Sequence, residues 1–465
     1  MKNMILMVLC IFTFPVLGQV NYTYYSKPEV EQDMDDAFEK LTSIHPIFLD
    51  IQVLADYQNK FSIIKESLKD SMTQNDVYLA LAPLFAYIND GHTGVLTPTN
   101  DRSRYIKAGE KAFPFFVTIN KDSIYVSFYS GNNSTLFRGG EQILEINGVD
   151  ATKMVRDMQL LYGGKSIANK QKAIADKFRF LIWMCYGFDE NYELAIKNHQ
   201  QEVHKMTIPG ITSDEFMHNI KRRPNQNKEY FEFSIHKGKN IAKMKIGTFG
   251  DLKGFCSFAD SAFAEIKNSK VENLVIDVRN NGGGRSIVVD SLMNYITDKE
   301  YAQYQKIEIR ISPELKERYK ERYPNRYDWI NSYAINDLLV PEYDLTKPQN
   351  NNLRFNGNLI LLTNNTSFSA AATFAGLFKE LKLGTIIGEE TGGTISYYGD
   401  FWYMETPNTQ ITFYVSPKHF IQYGGADLNR GVIPDYLVQD KDDSIMDFTY
   451  KLIEEKQQNT KIEKN

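Results

Sequence analysis

The chain has 465 residues, 42% of them hydrophobic and 24% charged, an ordinary globular composition that excludes a disordered or fibrous protein. That length allows about three domains. A formal net charge of −5 argues against a nucleic-acid binder, which would show a basic face, and against a protein that lies on a membrane surface. The dense basic cluster Lys221-Arg222-Arg223, followed by Pro224 in a polar stretch, reads as solvated linker.

The first residues, MKNMILMVLCIFTFPVLGQ, pair a charged Lys2 with a short apolar run from Met4 to Phe14 and a small-residue site at Val16-Leu17-Gly18. This is the pattern of a signal peptide over residues 1–18, and it predicts a secreted protein, periplasmic or extracellular. Cys10 lies inside the apolar run behind Leu9 and lacks the small neighbour that lipid attachment requires. No later stretch is long and apolar enough to span a bilayer. The remaining cysteines, Cys185 and Cys256, sit in the apolar contexts WMCYGF and KGFCSF. Two cysteines make no disulfide framework, and one bridge or two buried thiols both remain open. There is no CxxC or HExxH, and His199 and His204 are spaced wrongly for one helical face. We expect no metal and no cofactor.

In chain order, residues from about Lys27 to Asn89 show helical spacing, with helices expected over Tyr57 to Met72 and Asn75 to Ile88. A helical N-terminal domain, residues 19–110, contains the turn Asp90-Gly91-His92-Thr93. VTINKDSIYVSFY then alternates apolar and polar residues around a turn and reads as a hairpin. GGEQILEING reads as a strand closed by an Asn-Gly turn, and a helix follows from about Ala151 to Leu161. Residues 111–210 thus form an α+β domain, and the polar stretch 211–229 a linker. From residue 230 to 455 strands alternate with helices: IAKMKIGTF, Phe255 to Lys267, NLVIDV, Ile287 to Ile296, NLILLTN, Ser369 to Leu381, TIIGEE. That alternation predicts an α/β fold with parallel strands. A Tyr- and charge-rich insertion, residues 301–352, interrupts it and reads equally as a lid or as a surface excursion.

Three places can carry chemistry. Ser369, in TNNTSFSAAATFAG, stands where an apolar strand gives way to a helix of small residues. There its hydroxyl would project from the carboxyl edge of the sheet, beside N–H groups able to hold an oxyanion; the plainer reading is a helix N-cap. Asp277-Val278-Arg279-Asn280-Asn281-Gly282-Gly283-Gly284 follows a buried strand. Its glycines let backbone approach a ligand, but it lacks the lysine of a phosphate loop. His92, after a glycine at a helix end, is placed to reach a neighbouring domain, with Asp90 either orienting it or forming the turn.

Together these segments resemble the tail-specific and tricorn-like serine peptidases (family S41), which share a fold with interphotoreceptor retinoid-binding protein. DVRNNGGG resembles that family's glycine loop, and TSFSAAATFA with GTIIGEETGG its nucleophile segment and next strand. GVIPD, Gly431 to Asp435, resembles its closing turn, and DGHT the histidine segment of the branch without a catalytic lysine. The resemblance implies a crotonase/ClpP-like α/β core with an N-terminal helical domain and a PDZ-like α+β domain. It implies Ser369 as nucleophile, His92 as general base, and an oxyanion hole from Ala370 with Gly283 or Gly284. Peptides or unfolded proteins would be the substrate. Thr394 stands where the tail-specific branch has its lysine, so a serine–lysine dyad is excluded. Gly91 replaces the serine that precedes the histidine in tricorn-like enzymes, and the glutamate position falls in Asp427-Leu428-Asn429-Arg430. The group orienting His92 is left open between Asp427 and Thr93. The glycine-rich carboxylate loop of PDZ domains is not evident near Phe113-Pro114-Phe115-Phe116. The rival reading is a weak or inactive protein on the same scaffold that binds a peptide or an apolar ligand; an esterase would use the same serine chemistry.

Overall fold

The structure is a computed structural model that describes residues 20–463, except 133–135, 223–228, 343, 423–429 and 442–443. The expected signal segment and Asp427 therefore lie outside the described residues.

The N-terminal unit contains β1 (Tyr24–Ser26), α1 (Lys27–Ile44), α2 (Ile51–Glu66), β2 (Ser71–Thr73), α3 (Gln74–Tyr87), β3 (Gly94–Val95) and α4 (Asn100–Lys107). In α1 the residues Val30, Met34, Ala37, Leu41 and Ile44 are buried, one stripe at helical spacing. The helix expected over Tyr57 to Met72 begins earlier and stops at Glu66. Asp50 caps its start by accepting the Gln52 N–H at 2.9 Å, and Ser71–Thr73 instead pairs with β1. Thr73 and Asp76 cap α3 reciprocally, each accepting the other's N–H (3.2 and 2.9 Å).

The middle unit contains β4 (Phe115–Asn120), β5 (Ser123–Tyr129), β6 (Gln142–Ile146), β7 (Val149–Asp150), α5 (Ala151–Gln159), α6 (Ile167–Tyr186), β8 (Asn191–Lys197), β9 (Val203–Pro209) and α7 (Ser213–Asn219). The expected hairpin is β4–β5, turned by Lys121 and Asp122 at φ 48° and 62°. Strand order is β4-β5-β6-β8-β9, with β7 on β6. The stretch expected as linker opens instead with structure. Ile211 pairs with Ala112, Thr212 and Glu215 form a capping box on α7, and the buried Asn219 donates to the Ser130 carbonyl at 2.9 Å. Its polarity belongs to a cap and a solvent-facing side, and the signal, Thr212 three residues before Glu215, was present in the sequence.

The core contains β10 (Phe231–His236), β11 (Ile241–Ile246), α8 (Leu252–Asn268), β12 (Asn273–Asp277), α9 (Ser286–Ile296), β15 (Asn358–Thr363), α12 (Ala370–Glu380), β16 (Gly384–Gly388), β21 (Tyr436–Leu437) and α13 (Ser444–Glu463). Its strand order is β10-β11-β12-β15-β16-β21, parallel throughout except for the antiparallel edge β10. Every residue of β12 is buried, as a strand covered on both faces requires. Leu274, Ile276, Leu359 and Leu361 pack with α8, α9 and α12, whereas Val275, Ile360 and Leu362 pack with Ile445 and Ile453 of α13. The period of two thus divides each strand between two helical layers.

A second group of strands was not expected. The insertion supplies β13 (Lys306–Arg310), α10 (Pro313–Arg322), α11 (Tyr327–Asn331) and β14 (Leu338–Leu339); residues after β16 supply β17 (Tyr397–Gly399), β18 (Trp402–Glu405), β19 (Thr412–Val415) and β20 (Lys418–Ile421). They form the sheets β14-β13-β20-β17 and β18-β19-β3. The insertion is therefore stitched into a sheet by β13–β20 pairing. Ile309, Trp402, Phe413 and Val415 from these strands share one hydrophobic cluster with the helices of the N-terminal unit and the middle sheet. Cys185 and Cys256 are free thiols, and burial pushes Cys185 up to about 12. Among the described residues no helix is long and apolar enough to cross a membrane.

Candidate active site

β15 ends at Thr363 on the carboxyl edge of the core sheet, and α12 begins at Ala370. Ser369 between them has φ 52° and ψ −124°, a left-handed conformation that a residue with a Cβ adopts only under strain. It occupies the N-cap position, yet its side chain makes no capping bond, so the plainer sequence reading lacks the interaction that defines it. Two glycines make room for it. A Cβ on Gly283 would stand 2.6 Å from the Ser369 Cβ, and one on Gly393 2.9 Å from the Ser369 nitrogen.

The glycine loop leaves β12 and meets this turn directly. The buried Asn281 organises it: its Oδ1 accepts the Gly283 N–H at 2.8 Å, its Nδ2 donates to the Ile246 carbonyl at 2.9 Å, and its carbonyl accepts the Phe368 N–H at 2.9 Å. Asn364 accepts the Asn280 N–H at 3.0 Å and donates to Asp440 at 2.9 Å. Arg279 clamps Asp277 with two bonds (2.9 and 2.7 Å) and reaches Asp440 at 2.7 Å. Of the two glycines expected to donate to an oxyanion, Gly283 has its N–H occupied by Asn281. The N–H groups of Gly284 and Ala370 have no acceptor among the described residues.

His92 arrives from the N-terminal unit, on the turn between α3 and β3. Pairing of β3 with β19 and a Leu96 N–H to Thr412 carbonyl bond (2.8 Å) fix that turn to the second group of strands. Asp90 Oδ1 accepts the His92 backbone N–H at 3.0 Å and lies 3.9 Å from its Nδ1. Asp90 Oδ2 accepts from the Ser416 hydroxyl at 2.9 Å and lies 3.4 Å from His45 Nε2. His45 Nδ1 accepts the Ile47 N–H at 3.2 Å, which puts the ring proton on Nε2, facing Asp90. His92 is 8% exposed, and its ring stacks on Phe368 and Tyr397 at centroid distances of 4.8 and 5.3 Å. The Tyr397 hydroxyl is held by Tyr304 (2.9 Å) and Thr373 (3.1 Å).

Burial holds both His92 and His45 below the ordinary histidine pKa, with Asp90 opposing it. For Asp90, burial alone would raise the carboxyl. The hydrogen bond from His45 and the fields of both histidines outweigh it, so its pKa is lowered. The group is therefore an ionised carboxylate between two rings that are neutral near pH 7.

Ser369 and His92 line one cleft of about 670 Å³, with Gly284, Arg285, Tyr397 and Phe401 on its walls. No hydrogen bond joins the two among the described residues. On the far side of His92 a cavity of about 500 Å³ is lined by Asp90, Phe368, Thr394, Tyr398 and His419. Thr394 faces this cavity and bonds the Ser396 carbonyl at 2.7 Å, so the position of the missing lysine lines a different cavity from Ser369. Thr93, expected as one orienting group, accepts the Ser416 N–H at 3.0 Å and donates to its hydroxyl at 3.2 Å. The carboxylate beside the His92 ring is Asp90. Sequence reading weighed Asp90 either as orienting His92 or as forming the turn, and no motif marks Ser416, His45 or Tyr397. Among the described residues no cluster of His, Cys, Asp and Glu is suited to a metal.

A strained serine at a strand–helix junction, abutted by a glycine loop, thus lines one cleft of an α/β core with a buried histidine. Residues 240–438, the span from β11 to β21, match the model of peptidase family S41. Over 161 residues it is 26% identical to the tail-specific protease of Haemophilus influenzae (strain ATCC 51907 / DSM 11121 / KW20 / Rd), a match covering 34% of this chain and 18% of that protein's length. It is similar in structure to mature CPAF complexed with lactacystin, with a TM-score of 0.63 and 16% identity, covering 92% of this chain and 97% of the other. A point mutant of CPAF gives a TM-score of 0.66 at 15% identity, covering 91% and 95%. At such identities the likeness is one of fold.

Proposed function

We propose that this protein is a serine peptidase in which Ser369 is the nucleophile and His92 its general base. The observation that carries this reading is Ser369 itself: strained, without a capping partner, and in one cleft with a buried neutral histidine. In the reaction, His92 takes the Ser369 hydroxyl proton as the oxygen attacks the scissile carbonyl carbon. The carbonyl oxygen becomes an oxyanion held by the Ala370 and Gly284 N–H groups, the pair without acceptors. His92 returns the proton to the leaving amine as the C–N bond breaks. Water, deprotonated by His92, then releases the acyl group from Ser369. Asp90 stands on the Nδ1 side of His92, which leaves Nε2 for the serine, and its charge stabilises the imidazolium formed at each step. The aromatic walls supplied by Tyr397 and Phe401 suit an extended peptide.

A second reading, a peptide-binding protein with little turnover, has one observation on its side: Ser369 and His92 are not hydrogen-bonded. In unliganded sites such contacts are often long and tighten only with substrate. Incubation of the protein with a mixed peptide library, read by mass spectrometry, separates the two. We expect cleavage by the wild type and a loss of about 10⁴-fold or more in both Ser369→Ala and His92→Ala. Peptides retained uncleaved by the wild type would establish the binding protein instead.

A further inference from the structure

Another cavity, of about 290 Å³, lies between α4 of the N-terminal unit and the middle unit, near the lower end of the range for small-ligand sites. Helix α4 supplies Arg102, α6 supplies Arg179 and Phe180, β4 supplies Phe116, and α7 supplies Phe216. Both guanidiniums sit over aromatic rings. Arg102 is 3.6 Å from the Phe180 centroid and Arg179 is 3.7 Å from that of Phe216. Arg179 Nε donates to the Phe113 carbonyl at 2.7 Å, which fixes the plane of the group and leaves its two terminal nitrogens uncommitted. Neither arginine has an ion-pair partner among the described residues.

This arrangement is costly to the empty protein. Two like charges share one partly buried wall, and each loses hydration without a carboxylate in ion-pair contact among the described residues. Burial lowers the pKa of both, and for Arg179 the nearby Arg102 lowers it further. Stacking on a ring face offsets part of this cost but satisfies none of the in-plane N–H donors. Arginine forks of this kind match a carboxylate. Much of the remaining wall is apolar, with Ile106, Ile211 and Met217, and Glu110 and Asp176 stand at the same cavity. Their negative charge disfavours a dianion such as phosphate and favours a ligand with one negative charge.

We propose that this cavity is a binding site for a monocarboxylate carried on an apolar or aromatic group, with Arg102 and Arg179 gripping the carboxylate and the phenylalanine rings enclosing the rest. The proposal rests on none of the chemistry at Ser369. One carboxylate chemistry has two sources here, a free small acid or the end of a peptide, and the test distinguishes them. The Ser369→Ala protein, full length and unable to consume a peptide, is titrated calorimetrically with 3-phenylpropionate and with a short peptide ending in phenylalanine. Each is compared with its amide, and inorganic phosphate serves as the dianion. We expect saturable binding of the acid form and none of the amide. Arg102→Gln, which loses no hydrogen bond seen in the structure, should weaken it by about tenfold or more, and Arg179→Gln should do likewise. Binding of the small acid alone would make this a metabolite-sized site; binding of the free-ended peptide as well would make it a site for chain termini. Amides bound as tightly as acids, phosphate bound in preference, no saturable heat from either acid, or affinity unchanged in Arg102→Gln would overturn the proposal.

Discussion

A carboxylate buried between two histidines must stay ionised to serve either of them. Asp90 does so because it collects the Ser416 hydroxyl and the His92 backbone N–H while His45 faces its other side. His92 in turn stays neutral because burial outweighs the field of Asp90. A base acts only when unprotonated, so kcat/KM should fall as pH drops through the His92 pKa, which lies below the ordinary value of about 6.5. Asp90→Asn removes the one influence that raises that pKa. Its acid limb should move to still lower pH, and its plateau should drop by about 10²- to 10⁴-fold as the imidazolium loses its counter-charge. A pH–rate profile of both proteins reads the two effects separately. An Asp90→Asn profile that overlays the wild type would remove Asp90 from the mechanism.

At the scale of elements, the strand–turn–helix of β15 and α12 stores strain at one residue. Ser369→Gly should relieve a conformation that costs about 1–3 kcal/mol, less the entropy a glycine loses on folding. We expect a higher thermal midpoint together with complete loss of hydrolysis, measured by calorimetry and by turnover. A lower midpoint would mean that the serine side chain stabilises the fold through contacts not seen here. Ser369→Ala, with no capping bond to lose, should leave stability nearly unchanged. This junction was legible in the sequence because a buried apolar strand, a glycine-rich partner loop and a run of alanines each leave a pattern. The strands β13, β17 and β20 were not. They are short and largely half-buried, and β13 finds its partner β20 more than 100 residues along the chain, beyond any local periodicity. His45 was equally hidden, since its importance comes only from a neighbour 45 positions along the chain.

For the molecule as a whole, the question is how the unit carrying His92 is held against the core carrying Ser369. Asp33 on α1 is buried and accepts the Asn408 and Thr409 N–H groups at 2.8 and 2.7 Å, and Gln74 donates to the Thr409 carbonyl at 2.7 Å. On another side Arg310 of the insertion donates to the His45 carbonyl at 3.1 Å. These bonds and the shared hydrophobic cluster make the N-terminal helices part of the body that holds the cleft. Asp33→Ala leaves several buried donors without an acceptor and should cost about 3 kcal/mol of unfolding free energy. Urea titration measures that directly, and peptidase activity should fail at lower urea than in the wild type. An unchanged midpoint would show that this link carries little of the docking. The helical and α/β segments were readable from their periods; their mutual docking was not, because single buried carboxylates such as Asp33 look like any surface acid in sequence.

The pairing of Gly94–Val95 with residues of Thr412–Val415 also sets an order of events in time. Ribosomes deliver His92 early and Ser369 late, and β19 later still. Until that last strand is available, the histidine turn has nothing to rest on, and the serine has no partner facing it. A growing chain, or one drawn out in extended form, thus lacks the cleft that Ser369 and His92 share. The cleft shared by the two residues forms only once the chain has been made through Val415 and has folded back on Gly94–Val95.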